Sequence, residues 1–164
     1  MTEAFEKAFE EYADAIFRHC FFRVSDREKA KDLTQECFLR TWDYVSRGND
    51  IQNIRAFLYR TAHNLIVDEY RRRKDISLDA MREDGGFDPM GDGAADVMVS
   101  VGAKEAVEAI RKIDPAYRDV VLMRYVDEMS PKEIAVIVGE SENAVSVRIH
   151  RGVKKVREVL GELP

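Results

Sequence analysis

The sequence lacks any long hydrophobic run. Its 164 residues include no stretch of about 18 apolar residues, the length that a helix needs to cross a bilayer. The N-terminal stretch MTEAFEKAFEEYADAIF is acidic and has a helical period, which distinguishes it from a secretory signal peptide. We therefore expect a cytoplasmic protein without membrane insertion.

Groups that commonly carry catalysis or bind metals are also scarce. Cys20 and Cys37 lie in helix-like patterns without the CxxC spacing of a metal site, so we expect buried thiols in preference to a redox or metal role. His19, His63 and His150 are far apart, and the sequence contains no glycine-rich phosphate-binding loop. These absences argue against an enzyme, and we expect no metal and no cofactor.

Strand-like alternation of β-branched residues is absent as well, and helical periods occupy the chain on both sides of an acidic middle. Residues 75–102 contain five glycines, one proline and seven acidic residues without a sustained period, which indicates a flexible linker. The predicted fold is therefore all-α. It consists of two small helical domains, residues 1–74 and 103–164, joined by an acidic flexible linker.

The net charge of −5 is unusual for a nucleic-acid-binding protein, but the charge is unevenly distributed. The formal net charge, the number of Lys and Arg residues minus the number of Asp and Glu residues, is +1 for residues 1–74, −6 for residues 75–102 and 0 for residues 103–164. Two local stretches, residues 55–74 and 141–157, are basic and could each meet a phosphate backbone. Charge alone does not separate this interpretation from solvated helix faces.

Helical periods predict three helices in the first domain. The first carries an apolar stripe from Phe5 to Cys20. The capping-box pattern SDRE at residues 25–28 begins the second helix, and Asn53 can cap the third. The residues of the second helix that point largely away from its apolar face are Asp32, Gln35, Glu36 and Arg40. The outer residues of the third helix include Arg60, His63, Asn64 and Arg71.

The second domain has sharper helix boundaries. The pair Asp114-Pro115 predicts an N-cap followed by the first residue of a helix. The sequence SPKE at residues 130–133 predicts a capping box at the start of a short helix, and Gly139 predicts that this helix ends in the left-handed conformation. Ser141 is then predicted to cap a long basic helix. This order predicts a helix-turn-helix, whose second helix can enter the major groove of DNA, although the topology also occurs outside DNA binding.

Three blocks of the sequence resemble extracytoplasmic-function sigma factors of the sigma-70 family. IDPAYRDVVLMRYVDEMSPKEIAVIVGESENAVSVRIHRGVKKVREVL resembles their region four. DREKAKDLTQECFLRTWDYV resembles their polymerase-binding helix, and NIRAFLYRTAHNLIVDEYRRRK their minus-ten recognition helix. The resemblance implies a factor that binds core RNA polymerase, through the clamp helices of the largest subunit and the flap, and carries it to promoter DNA. An anti-sigma factor is a further implied partner.

The resemblance also implies roles for individual residues. Those implied to bind the polymerase clamp helices are Asp32, Gln35, Glu36 and Arg40. Those implied to bind the minus-ten element are Asn49, Asn53, Arg60, His63 and Asn64, with Arg71, Arg72 and Arg73 on phosphates. Those implied to read the minus-thirty-five element are Ser146, Val147, Arg148, His150, Arg151 and Lys154. Three aromatic residues could stack on extruded bases, although their helical spacing also suits a core: Trp42, Phe57 and Tyr59.

Two positions depart from the family pattern in the implied promoter-reading helix. Ser146 stands where many relatives carry lysine or arginine, and Val147 where serine is frequent. The resemblance therefore does not imply a promoter preference. It does imply that the acidic linker passes through the polymerase towards the RNA exit path.

A DNA-binding regulator is the main alternative from another class. The helix-turn-helix would be its output, and the N-terminal helices would sense a signal or dimerise. This alternative leaves the DLTQECF and RAFLYRTAHN blocks unexplained.

Overall fold

The computed structural model describes residues 2–84 and 101–161, and all regular secondary structure in these ranges is helical. The helices are α1 (Thr2–Val24), α2 (Arg27–Ser46), α3 (Ile54–Asp84), α4 (Val101–Arg111), α5 (Pro115–Tyr125), α6 (Pro131–Val138) and α7 (Glu142–Leu160). Helices α1–α3 form one compact unit and helices α4–α7 another. The predicted all-α fold with two helical domains is confirmed. Within the described ranges, no helix combines the length and apolar character that crossing a bilayer requires.

The first unit is a three-helix bundle around a core drawn from all three helices. Ile16 of α1, Cys37 of α2 and Leu58 of α3 have no exposed surface. Burying an aliphatic side chain of this size stabilises a fold by about 1.5–3 kcal/mol. The Cys37 thiol donates a hydrogen bond of 3.3 Å to the Leu58 carbonyl oxygen, and burial raises the pKa of this thiol to about 12. Both Cys37 and Cys20 are buried thiols, as the sequence predicts.

The boundary between α1 and α2 differs by one residue from the sequence prediction. The predicted capping box places the cap of the second helix at Ser25, but Asp26 caps α2 by accepting a hydrogen bond of 3.1 Å from the Lys29 amide. Ser25 instead ends α1: its backbone is left-handed, with φ at 55°, and its amide donates to the Phe21 carbonyl oxygen at 2.9 Å. Ser25 is therefore unavailable as the N-cap, because its conformation closes the preceding helix.

Helix α3 is longer than the sequence predicts. The prediction begins the linker at residue 75, whereas α3 continues to Asp84. Residues 75–84 contain no glycine or proline, and Gly85 is the first residue of this segment that strongly opposes a helix. Of the rest of the predicted acidic linker, residues 85–100 lie outside the described residues, and residues 101–102 belong to α4, which begins at Val101.

The second unit contains the predicted helix-turn-helix in α6 and α7. Ser130 caps α6 in a reciprocal capping box with Glu133, each side chain bonding the other residue's amide at 3.2 Å. Gly139 ends α6 with φ at 73°, and Ser141 caps α7 by accepting from the Ala144 amide at 3.1 Å. These local hydrogen bonds fix where each helix of the motif begins and ends.

Candidate polymerase and nucleic-acid interfaces

The four polar residues predicted to bind polymerase lie together on the solvent side of α2. Asp32, Gln35 and Arg40 are exposed, and Glu36 is partly exposed. The Arg40 Nε atom lies 2.9 Å from the Glu36 Oε1 atom, an ion pair one helical turn apart. An exposed ion pair of this kind stabilises a helix by about 0.3–0.5 kcal/mol. The pair therefore contributes little to the stability of the fold.

An apolar residue that the sequence prediction missed lies within the same face. Leu39 is 62% exposed although it is a large aliphatic residue. It follows Gln35 by four residues and Glu36 by three, so it lies beside both on the helix surface. The sequence held part of this signal, because Leu39 falls outside the stripe formed by the buried residues Leu33 and Cys37. Its exposure, however, follows only from the packing of the bundle. We call Asp32, Gln35, Glu36, Leu39 and Arg40 the α2 face.

Two of the three asparagines predicted to bind the minus-ten element also shape the loop between α2 and α3. The Asn49 Nδ2 atom donates a hydrogen bond of 3.0 Å to the Tyr44 carbonyl oxygen. The Asn53 Oδ1 atom accepts one of 3.1 Å from the Ala56 amide and so caps α3, as the sequence predicts. Each amide is thereby held in one orientation at the protein surface.

An open groove runs between the C-terminal end of α2 and the start of α3. It has a volume of about 340 Å³, within the usual range of ligand-binding pockets. One wall is aromatic: the ring centroids of Tyr44 and Phe57 lie 4.9 Å apart, and the two ring planes are tilted by 35°. The groove is lined by Arg40, Asp43, Tyr44, Arg47, Asn49, Phe57, Thr61 and Asn64. It thus combines an aromatic surface, amide groups and cations, the chemical groups that hold an unpaired base.

The aromatic candidates from the sequence divide between this groove and the core. Phe57 lines the groove, whereas Tyr59 is buried with its ring 5.2 Å from the His19 ring. The Trp42 ring packs against the Phe5 ring, with 5.1 Å between the two ring centroids. The sequence prediction missed Tyr44, which is 38% exposed and contributes the other ring of the groove wall.

The predicted minus-ten residues of α3 differ in their exposure. Arg60 and Asn64 are exposed and lie one turn apart, while His63 is partly buried. Further along, Arg71 is exposed, as is Arg72, whereas Arg73 is partly buried. The structure therefore presents Arg60, Asn64, Arg71 and Arg72 to solvent.

Arg72 and Arg73 are held by the buried carboxylate of Glu69. The Glu69 Oε1 atom lies 2.8 Å from Arg72 Nη2, 3.0 Å from Arg73 Nε and 3.5 Å from the Nζ atom of Lys29 on α2. Burial by itself would raise the pKa of Glu69, but the hydrogen bonds and charges of these cations outweigh it and hold the pKa below its ordinary value. The cluster ties the basic middle part of α3 to the start of α2.

Helix α7 presents five of the six predicted minus-thirty-five residues to solvent. These exposed residues are Ser146, Val147, His150, Arg151 and Lys154. The sequence prediction missed Asn143, which is also exposed. Asn143 shares one row of the helix with Val147, His150 and Lys154 because they recur at spacings of three and four residues. The remaining predicted residue, Arg148, is turned towards Glu140 and is only partly exposed.

Family models match both units of the chain. Residues 8–76 match the model of Sigma-70 region 2, and residues 103–156 match that of Sigma-70, region 4. The chain is 31% identical, over 172 aligned residues, to the ECF RNA polymerase sigma factor SigW of Bacillus subtilis, and the match covers 98% of this chain and 91% of SigW.

Solved structures share the fold. The sigma factor RpoE of Bartonella quintana, solved in complex with the anti-sigma factor NepR, has a TM-score of 0.76 at 18% identity, covering 97% of this chain and 98% of RpoE. CnrH, solved in complex with the cytosolic domain of CnrY, has a TM-score of 0.67 at 22% identity, covering 100% of this chain and 92% of CnrH. The family models and the similarity to SigW place the chain among the ECF RNA polymerase sigma factors, non-catalytic proteins that bind RNA polymerase and direct promoter-specific initiation of transcription.

Proposed function

We propose that the α2 face binds the clamp helices of the largest subunit of core RNA polymerase. The observation that carries this assignment is the exposure of Leu39 among polar residues on a helix whose other side is buried. An apolar centre with a polar rim is typical of protein–protein interfaces. Asp32, Gln35, Glu36 and Arg40 supply that rim, and their exposure leaves them available to a partner.

The groove between α2 and α3 is proposed to hold an unpaired base of the minus-ten element. A base that leaves the duplex needs a stacking surface and hydrogen-bonding groups to offset its lost stacking and pairing. The rings of Tyr44 and Phe57 offer the surface, and Asn49 and Asn64 offer amide groups in the same groove. Arg60 and Arg71 extend this surface along α3 and would contact the phosphates of the opened strand, together with Arg72 and Arg73, which Glu69 holds.

The exposed side of α7 is proposed to read the minus-thirty-five element in the major groove. Helix-turn-helix proteins contact base edges with the N-terminal residues of their second helix. Val147 and His150 occupy the middle of the exposed row, Lys154 supplies a cation at its end, and Arg151 supplies one beside it. This arrangement supports base contacts near the start of the helix and phosphate contacts towards its end.

An anti-sigma factor and a cytoplasmic location complete the proposal. RpoE and CnrH, which share the fold, were each solved with a partner protein, and the partner of RpoE is named as an anti-sigma factor. A partner that covers the α2 face would exclude polymerase directly. Promoter-directed transcription requires access to the polymerase and the chromosome, and so favours the cytoplasm.

Run-off transcription with core polymerase and a library of promoter sequences tests the proposed function. The proposal predicts transcripts from a subset of promoters that share two sequence elements at a fixed spacing. Transcription that never exceeds the level of core enzyme alone, on any promoter in the library, would contradict it.

A further inference from the structure

Arg148 is held by Glu140 across the turn of the helix-turn-helix. The Arg148 Nη2 atom lies 2.7 Å from Oε1 and 2.6 Å from Oε2 of the Glu140 carboxylate. The two side chains are only 29% and 35% exposed, so water screens this pair less than it screens a fully exposed one. The guanidinium group therefore has a defined protein partner near the start of α7.

The backbone of Glu140 is itself fixed. The amides of Gly139 and Glu140 both donate to the Ala135 carbonyl oxygen, at 2.9 and 3.1 Å, and so close the end of α6. The next residue, Ser141, caps α7. The carboxylate of Glu140 consequently comes from a rigid turn, and the ion pair connects the end of α6 to the second turn of α7.

Arg148 lies on the flank of α7 and outside its exposed row. It follows the buried Val145 by three residues and precedes the buried Gly152 by four, so its stem runs beside the packed face of the helix. Helical side chains lean towards the N-terminus, which is the direction of Glu140. The exposed row that includes Val147 and His150 lies on a different side.

We infer that Glu140 is a positioning residue that keeps Arg148 away from DNA and thereby limits the sequence-independent affinity of α7. The inference rests on the proposed reading of the minus-thirty-five element by this helix. A cation on a phosphate strengthens binding to every sequence and carries no sequence information itself. Arg151 and Lys154 already supply exposed cations, and the Glu140 carboxylate withholds a further one.

Substitution of Glu140 provides the test, with a matched control on the same helix end. Glu140→Gln removes the carboxylate charge that holds Arg148, whereas Glu142→Gln removes one negative charge from an exposed residue of the first turn of α7 and leaves the pair intact. The charge-neutral double variant Glu140→Gln with Arg148→Gln removes both partners. Circular dichroism of each variant checks that the helices are retained.

Binding of the polymerase holoenzyme is measured by fluorescence anisotropy over a series of salt concentrations. One duplex carries the promoter, and a second has a scrambled upstream element. Glu140→Gln is expected to raise affinity for both duplexes about fivefold near 0.15 M salt and to steepen the salt slope by about 0.9, the effect of one added phosphate contact. Glu142→Gln should change the affinity less and leave the slope unaltered, and the double variant should bind as the wild type does.

Two results would overturn the role of Glu140. One is an equal change of affinity and salt slope in Glu140→Gln and Glu142→Gln, which would show that the effect comes from net charge alone. The other is weaker promoter binding by the double variant with its helices intact, which would make Arg148 a DNA contact in the wild type. A wild-type holoenzyme that does not distinguish the two duplexes would instead contradict the proposed reading by α7, and so the two failures are separable.

Discussion

Gly152 of α7 lies so close to Val121 of α5 that a Cβ atom added at Gly152 would be 2.6 Å from the Val121 Cγ2 atom. That separation is well inside van der Waals contact, and Val121 is itself buried with 3% exposure. The glycine therefore sets how closely the proposed recognition helix approaches the rest of its unit.

Gly152→Ala is expected to destabilise the second unit by about 1–3 kcal/mol, because overpacking a filled core forces neighbouring side chains or backbone to shift. Thermal unfolding followed by circular dichroism measures the change. Adding Val121→Ala removes the clashing methyl groups and should make the Gly152→Ala substitution far less costly in that background. Strictly additive effects of the two substitutions would contradict direct contact as the cause.

Glu69→Gln is expected to destabilise the first unit by about 1–3 kcal/mol at neutral pH, because Lys29, Arg72 and Arg73 lose the carboxylate that they share. The folded pKa of Glu69 is lowered, so its stabilisation is present above the unfolded pKa, about 4.3, and is lost as the pH falls through the folded value. Unfolding measured from pH 7 to pH 3 should show a smaller acid-dependent loss in the variant. Asp68→Asn, at an exposed neighbour, is the control and should leave the free energy of unfolding at neutral pH nearly unchanged.

Gln35→Ala with Glu36→Ala is expected to weaken binding to core polymerase while the melting temperature stays nearly unchanged. Substitution of an exposed residue usually alters the free energy of unfolding by no more than about 0.5 kcal/mol. Substitution of an interface residue instead lowers the affinity for the partner. A pull-down with core polymerase measures the effect. The matched control is Glu6→Ala with Glu10→Ala, two exposed acidic residues on α1. Wild-type recovery of polymerase by the α2 variant would remove this face from the interface.

Arg151→Ala is expected to weaken binding of the holoenzyme to the minus-thirty-five element. Loss of a bidentate base contact should cost about 1–3 kcal/mol and relax specificity at one base pair. Loss of a phosphate contact should instead weaken binding to all sequences and lower the salt slope by about 0.9. Binding titrations on single-base promoter variants distinguish the two roles, and normal binding to every duplex would exclude Arg151 from the DNA interface.

The sequence predicts best those features that depend on neighbouring residues. Asn53, Ser130 and Ser141 cap their helices as expected, because a cap requires only a side-chain oxygen and an amide two or three residues later. Ser25 is the exception, since the end of α1 and the start of α2 compete for the same residues.

Features that depend on residues far apart or on final exposure were missed or only partly predicted. Glu140 and Arg148 are eight residues apart and on opposite sides of a helix start, so no helical spacing indicates their pairing. Leu39 and Tyr44 fall outside the apolar stripe of α2, but only the packing of the bundle reveals that both are exposed. Similarly, the charge of the RRRK sequence gives no indication that buried Glu69 holds Arg72 and Arg73.

Promoter recognition is expected to depend on the polymerase. The net charges of +1 and 0 for residues 1–74 and 103–164, with −6 between them, leave little electrostatic attraction for duplex DNA, because sequence-independent affinity grows with the number of phosphates neutralised. If polymerase holds both DNA-reading surfaces at a fixed separation, binding of the second becomes nearly intramolecular and its effective concentration rises. Neither surface would then need high affinity by itself.

Gel-shift titration of a promoter duplex at physiological salt, with and without core polymerase, shows whether recognition depends on the polymerase. We expect weak binding by the free protein, with little preference for the promoter over scrambled DNA, and tight promoter-specific binding once core polymerase is added. Tight, sequence-specific binding by the free protein, unchanged by polymerase, would contradict this dependence and favour an independent DNA-binding regulator.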